Sequence, residues 1–278
     1  LAAGADILET NTFGASRIVL AEYGLQGRAG EINAAAARLA RQAAEEFATP
    51  GAPRFVAGSV GPTTKAISVT GGVTFRELAA AFREQALGLL DGGADLLLLE
   101  TCQDTRNIKA GALAIEKLSR EIGQRIPLMI SATIERMGTM LAGQDVEALW
   151  ASLDHLDVIA LGFNCATGPE FMTDHVRTLH SLTCRFVSCY PNAGLPNEEG
   201  RYLETPTSLA EQLEQAALRL DRVGLERTFT RAVGLHSLRL AFRHALVAAL
   251  ARMGQRRDEG RTAAAGEEFL AAFARRKL

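Results

Sequence analysis

ADLLLLETCQD, Ala94 to Asp104, is the stretch on which the fold turns. Its four consecutive leucines do not alternate with polar residues, so the run reads as a strand covered on both faces, as in a parallel sheet. The run ends in Glu-Thr-Cys-Gln-Asp, which puts a carboxylate, Glu100, at the carboxyl end of a buried strand. Burying a carboxylate costs free energy unless it is paired, so Glu100 is a candidate functional residue.

The same unit recurs along the chain. An amphipathic stretch is followed by Gly-Ala-Asp or a similar break, and then by a short apolar run with a polar end. The other runs are ADILETNTF (Ala5 to Phe13), RFVAGSVGP (Arg54 to Pro62), PLMISATIE (Pro127 to Glu135), DVIALGFNCATGP (Asp157 to Pro169) and RFVSCYPNAGLP (Arg185 to Pro196). With Ala94 to Asp104 they make six predicted strands. FRELAAAFREQALGLLDGG (Phe75 to Gly93) and NIKAGALAIEKLSREIG (Asn107 to Gly123) carry apolar residues at helical spacing and stop at glycine, so they read as crossover helices.

Strands that alternate with helices and end in small or polar residues predict a (β/α)8 TIM barrel with its working face at the strand carboxyl ends. A doubly wound sheet is the rival, but it would usually carry a GxGxxG turn after a strand, and none is present. The first and last strands of the barrel are not recognisable. The prediction is an incomplete barrel over residues 1–216, followed by an Arg/Ala-rich helical tail over 217–278 with a polar break at GQRRDEGRT (Gly254 to Thr262).

At 278 residues and 47% hydrophobic composition the chain can bury a full core. Thirty basic against thirty-two acidic residues leave a net charge of -2, without the polycationic footprint of a nucleic-acid or anionic-membrane binder. A small-molecule partner is expected. No apolar run approaches the roughly 20 residues of a membrane span, and residues 1–20 lack the order of a signal peptide, so a cytoplasmic chain is expected. Four cysteines are too few and too irregularly spaced for a disulfide framework; thiol chemistry or metal binding is the functional reading and plain core the alternative.

ADILETNTFGAS, GSVGPTTK, LLLLETCQD, ISATIE, LGFNCATGP and YPNAGLPN, in that order, resemble the homocysteine-binding domain of cobalamin-dependent methionine synthase over about residues 1–215. The GPTTK turn and YPNAGLPN point to methionine synthase rather than to its betaine-using relatives. The resemblance implies a barrel holding a zinc ion that binds the homocysteine thiol. It also implies methylcobalamin as methyl donor on another domain, and cobalamin- and folate-binding domains of the same enzyme as partners.

The chemistry behind such a site is simple. A thiol with a pKa of about 8.5 is mostly protonated at neutral pH, whereas the thiolate is the nucleophile. Zinc deprotonates a bound thiol, and three protein thiolates leave the fourth tetrahedral position open for substrate sulfur. By resemblance, Cys165 of the Asn-Cys motif is the first of those ligands, and Glu100 accepts hydrogen bonds from the substrate ammonium. Thr10, Asn11 and Asn164 would hold the amino acid's polar groups, with a hydrogen bond to backbone at a strand end as an equal alternative for each. Gly58, Gly61 and Pro62 shape the loop after their strand, and Asp6 and Glu9 receive no assignment. Cys102, Cys184 and Cys189 match no zinc position and read as core or rim, with Cys189 able to face the site. His175, His180, His236 and His244 sit in helical patterns where core or surface roles suffice.

Two features depart from the family pattern. The family has an earlier strand and helix with an Asp-Gly-Ala type motif, whereas here only residues 1–4 stand before the first matching run. The family's last strand ends in Gly-Gly-Cys-Cys-Gly, which supplies the other two zinc ligands, and no adjacent cysteine pair occurs here. Reduced zinc affinity and impaired methyl transfer are therefore expected. An incomplete or frame-altered gene product would explain this, as would a divergent chain whose tail helices cover the gap. The alternative function is a non-catalytic barrel remnant that serves as an amino-acid binding or interaction module.

Overall fold

The computed structural model describes residues 1, 4–192, 199, 205–225, 228–229, 245–258 and 264–277. In chain order the principal elements are β1 (Ile7–Glu9), α1 (Arg17–Leu20), α2 (Ala29–Phe47), β2 (Phe55–Val60), α3 (Phe75–Asp91), β3 (Leu96–Cys102), α4 (Thr105–Ile122), β4 (Leu128–Ala132), α5 (Val146–Leu153), β5 (Ala160–Asn164), α6 (Pro169–Leu182), β6 (Phe186–Tyr190), α7 (Pro206–Leu218), α8 (Val247–Asp258) and α9 (Ala264–Lys277). They fall into two compact units, residues 1–164 with 175–189 and residues 165–174 with 190–278.

The first unit is built on the sheet. Its six strands lie in sequence order, β1 to β6, and β1 through β5 pair in parallel. Each predicted run holds one of these strands. The sheet curls as an incomplete TIM barrel flanked by helices. Parallel neighbours need long crossovers, and the intervening helices provide them. The helix spanning Phe75–Asp91 starts at a capping box: the Thr74 hydroxyl accepts from the Glu77 N–H, and the Glu77 carboxylate accepts from the Thr74 N–H. α4 starts at Asp104, whose side chain accepts from the Arg106 N–H, and ends at Gly123 in the left-handed region.

Alternation along the strands separates two faces. Leu8 and Val56 pack with Ala40 and Ala44 of α2. A Cβ on Gly58 would stand 2.9 Å from the side chains of Leu89 and Leu97, so this position also faces the helices. The residues between them turn to the inner face of the curl.

The second unit has a core of its own. Leu213, Ala216 and Ala217 of α7 join Ala249 and Met253 of α8 and Leu270 and Phe273 of α9. Phe229 meets Phe273 edge to face at 5.7 Å. Buried Glu214 accepts from Arg252 at 2.7 Å. Helices from both sides of residue 216 thus share one apolar cluster, and the polar break read at Gly254 to Thr262 falls around the end of α8. Among the described residues no helix is long and apolar enough to cross a membrane.

Candidate active site

The inner face carries a polar row at the carboxyl ends of the strands. Glu9 pairs in register with Ala57, and Ser59 lies two residues further along the same face. Leu98 pairs with Met129, which puts Glu100 and Ser131 on that face as well; Ser131 pairs with Gly162, and Asn164 follows two residues on. Of this row, Glu100 and Asn164 were expected from the sequence. Glu9, Ser59 and Ser131 were not, although the outward packing of Leu8 and Gly58 gives their parity away.

Glu100 is only 6% exposed and accepts a short hydrogen bond from the Ser59 hydroxyl. Beyond it β3 bulges. Leu99 pairs with Ile130 and Cys102 with Ala132, so Glu100 and Thr101 together stand opposite the single residue Ser131. Thr101 takes φ +56°, a region that a β-branched residue rarely adopts. Asn164 holds it there. The Asn164 Oδ1 accepts from the Thr101 N–H at 3.0 Å and from the Ser131 hydroxyl at 2.6 Å, while Nδ2 donates to the Thr101 Oγ1 at 2.8 Å.

Asn164 is fully buried, and its amide serves these neighbours. Thr10 is buried too: its Oγ1 accepts from the Ser59 N–H at 2.9 Å and is bonded to the Thr12 hydroxyl at 2.6 Å, which braces β1 against β2. Asn11 is exposed. At Glu9, crowding by protein atoms and then the charge of Glu100 push the carboxyl pKa up to about 7. Burial, and then Glu100, push the Cys102 thiol up to about 12, so it stays protonated at neutral pH.

The loop after β2, which contains GPTTK, is pinned to the start of α4. Asp104 accepts from the Ser68 N–H at 2.6 Å and the Ser68 hydroxyl at 3.2 Å. Asn107 accepts from the Ile67 N–H at 3.0 Å and donates to the Lys65 carbonyl at 3.0 Å. Neither residue was singled out from sequence, because each partner lies 36 to 42 residues away.

Cys165 follows β5 directly and is half-buried. It and Ala166 both take left-handed φ, +54° and +55°. The Cys165 N–H donates to the Tyr190 carbonyl at 3.4 Å, and its carbonyl accepts from the Thr167 N–H at 2.5 Å. None of the four cysteines is disulfide-bonded, and Cys184 and Cys189 are exposed. Among the described residues no group of three or more His, Cys, Asp or Glu side chains could hold a metal ion. His236, His244 and residues 193–197 of YPNAGLPN lie outside the described residues.

A cavity of about 770 Å³ lies elsewhere, along α4 and the loops at 123–126 and 155–157, at the amino ends of the strands. Four of its charged groups pair with one another, Arg125 with Asp157 and Arg120 with Glu116. In parallel barrels the chemistry sits at the opposite end, and the polar row lies there.

Comparison with known proteins identifies the family. A homocysteine S-methyltransferase family model matches residues 1–239, past the point near residue 215 where the recognisable motifs end. The crystal structure of the Escherichia coli homocysteine methyltransferase MmuM in its metallated form is 28% identical, with a TM-score of 0.61 over 69% of this chain and 69% of that one. The oxidized form of the same enzyme is 25% identical, with a TM-score of 0.60 over 82% of this chain and 73% of that one. With the six strand-end motifs in order on one curled parallel sheet, this chain belongs to the homocysteine S-methyltransferase family.

Proposed function

We propose that the chain binds homocysteine at the carboxyl ends of its strands, with the Glu100 carboxylate accepting hydrogen bonds from the substrate ammonium. The observation that carries this reading is Glu100 itself, a carboxylate 6% exposed, aimed along the inner face and held by Ser59. A buried carboxylate gains from a cationic partner, and the ammonium of an amino acid is one. Asn11, exposed after β1, would meet the substrate's other polar groups, with Thr10 bracing β1 against β2 beneath it. The GPTTK turn and YPNAGLPN support methylcobalamin on another domain as the methyl donor, with methionine as the product and cobalamin- and folate-binding domains as partners.

Sulfur must lose its proton before it can attack a methyl group, and the family resemblance implies zinc for that task, with Cys165 as a ligand. The described residues do not fit a three-thiolate set. Cys165 is a single thiol, no group of three donors stands among the described residues, and the sequence holds no adjacent cysteine pair. This shortage favours the second reading, an amino-acid binding module without catalysis of its own. Under both readings the chain contributes binding and orientation.

Calorimetric titration with homocysteine tests the binding step. Glu100→Gln should weaken it about tenfold, as expected for a hydrogen bond to a charged group, and unchanged affinity would overturn the role given to Glu100. In an assay with methylcobalamin, homocysteine and added zinc, the purified chain should show no turnover. Multiple turnovers that vanish in Cys165→Ser would refute this and establish a completed metal site.

A further inference from the structure

Asn164 lies in the polar row, yet its amide points at its neighbours. Both of its polar atoms are engaged, it is fully buried, and two of its hydrogen bonds go to a single residue, Thr101. Another, from the Ser131 hydroxyl, fixes the amide by its Oδ1. Thr101 is the residue that needs holding. Its φ of +56° is disfavoured for a β-branched side chain, and such a conformation persists only where the surroundings over-determine it. Without that conformation the extra residue in β3 would not fit opposite Ser131. Glu100 keeps the inner-face parity that Leu98 sets, but it is the first residue of the bulge, so the line of its side chain follows how Thr101 bends beside it.

We propose that Asn164 is a positioning residue: by clamping Thr101 in the bulge of β3 it aims the neighbouring Glu100 carboxylate at the substrate ammonium. The proposal rests on the reading of Glu100 given above. It assigns Thr101 and Ser131 to the same device, one as the bent residue and the other as the anchor of the amide. Asn164 sits on β5 and Glu100 on β3, so the clamp ties two strands with β4 between them. Ser59, from β2, holds the carboxylate from the other side.

The test compares two ligands that differ only in the amino group, homocysteine and 4-mercaptobutyrate, on the full chain. Wild type should prefer homocysteine, and Glu100→Gln should remove the preference. Asn164→Ala should weaken homocysteine about tenfold while changing 4-mercaptobutyrate less than about twofold, because only the ammonium contact is misaimed. Adding Thr101→Gly should restore much of the loss, since glycine takes a left-handed φ without a Cβ penalty. Ser131→Ala, a milder change, should shift the preference in the same direction by about two- to threefold, and it serves as the test if Asn164→Ala does not fold.

Equal weakening of both ligands by Asn164→Ala would mean general structural support, and undiminished preference would mean no role; each overturns the proposal. If Glu100→Gln removes the preference but the Asn164 and Ser131 variants do not, only the positioning inference fails. If wild type shows no preference, or no binding of homocysteine, the ammonium role of Glu100 fails and the positioning inference with it.

Discussion

Replacing Asp104 with alanine should loosen the loop that follows β2 while leaving the sheet intact. The carboxylate is 1% exposed and accepts three hydrogen bonds, two from Ser68 and one from the Arg106 N–H at the start of α4. Losing an N-cap costs about 1 kcal/mol. The two bonds from Ser68 go to a charged acceptor, worth ~1.5–3 kcal/mol each when nothing replaces them. Ser68 is exposed, however, so water takes over most of that role and about 1–2 kcal/mol remains for the pair. The total is about 2–3 kcal/mol, and the Ser68 share corresponds to a roughly tenfold larger open population of the loop. Lys65 is exposed within this loop, so limited trypsin digestion should cut after it about tenfold faster in Asp104→Ala. Asp104→Asn, which keeps one acceptor, should fall between. An unchanged cutting rate, together with a stability loss under about 0.5 kcal/mol by urea denaturation, would refute the clamp.

Two further outcomes are expected. Gly162→Ala should destabilise the chain by about 3 kcal/mol or prevent its folding, because the new Cβ would stand 1.8 Å from the Ser188 carbonyl oxygen of β6, and backbone cannot step aside as a side chain can; a loss below about 1 kcal/mol by urea denaturation would contradict the close approach of β5 and β6. Glu9 has a folded-state pKa raised from 4.5 to about 7, so between those values the folded chain keeps a proton that the unfolded chain releases, and its contribution to stability falls as pH rises through that window. Glu9→Gln should therefore gain stability relative to wild type at about pH 8 and not at about pH 4, and parallel urea midpoints at the two pH values would rule the shift out.

What the sequence reveals depends on how local each signal is. Continuous apolar runs and glycine stops are local, and all six strands and the helices Phe75–Asp91 and Thr105–Ile122 are legible from them. Glu100 is legible because a carboxylate after four leucines has few structural explanations. Thr101 carries no signal, since nothing in Glu-Thr-Cys announces a left-handed threonine; its conformation comes from Asn164, sixty-three residues later. Asp104 and Asn107 read as ordinary helix-start polar residues for the same reason. In the tail, composition predicts helices but not partners: the pairing of Phe229 with Phe273 and of Arg252 with Glu214 is set by packing in three dimensions.

The two ends of the sheet also divide their polar residues differently, and this settles what the recurring aspartates before the strands are for. Asp6, Asp95 and Asp157 each precede a strand, and each pairs with an arginine on another segment, Arg54, Arg41 and Arg125 respectively. Hydrogen bonding from Arg125 holds the Asp157 carboxyl below its ordinary range. These pairs reach solvent, where a single ion pair is worth no more than about 1 kcal/mol. They mark register at the amino ends, and charge exposed to water needs no further ligand there. At the carboxyl ends the arrangement inverts. Glu100 and Asn164 are buried, Glu100 accepts from the Ser59 hydroxyl, and the strand departs from regular pairing within one residue of it. A carboxylate buried on the inner face and held by the Ser59 hydroxyl is the arrangement that the proposed contact with a substrate ammonium requires.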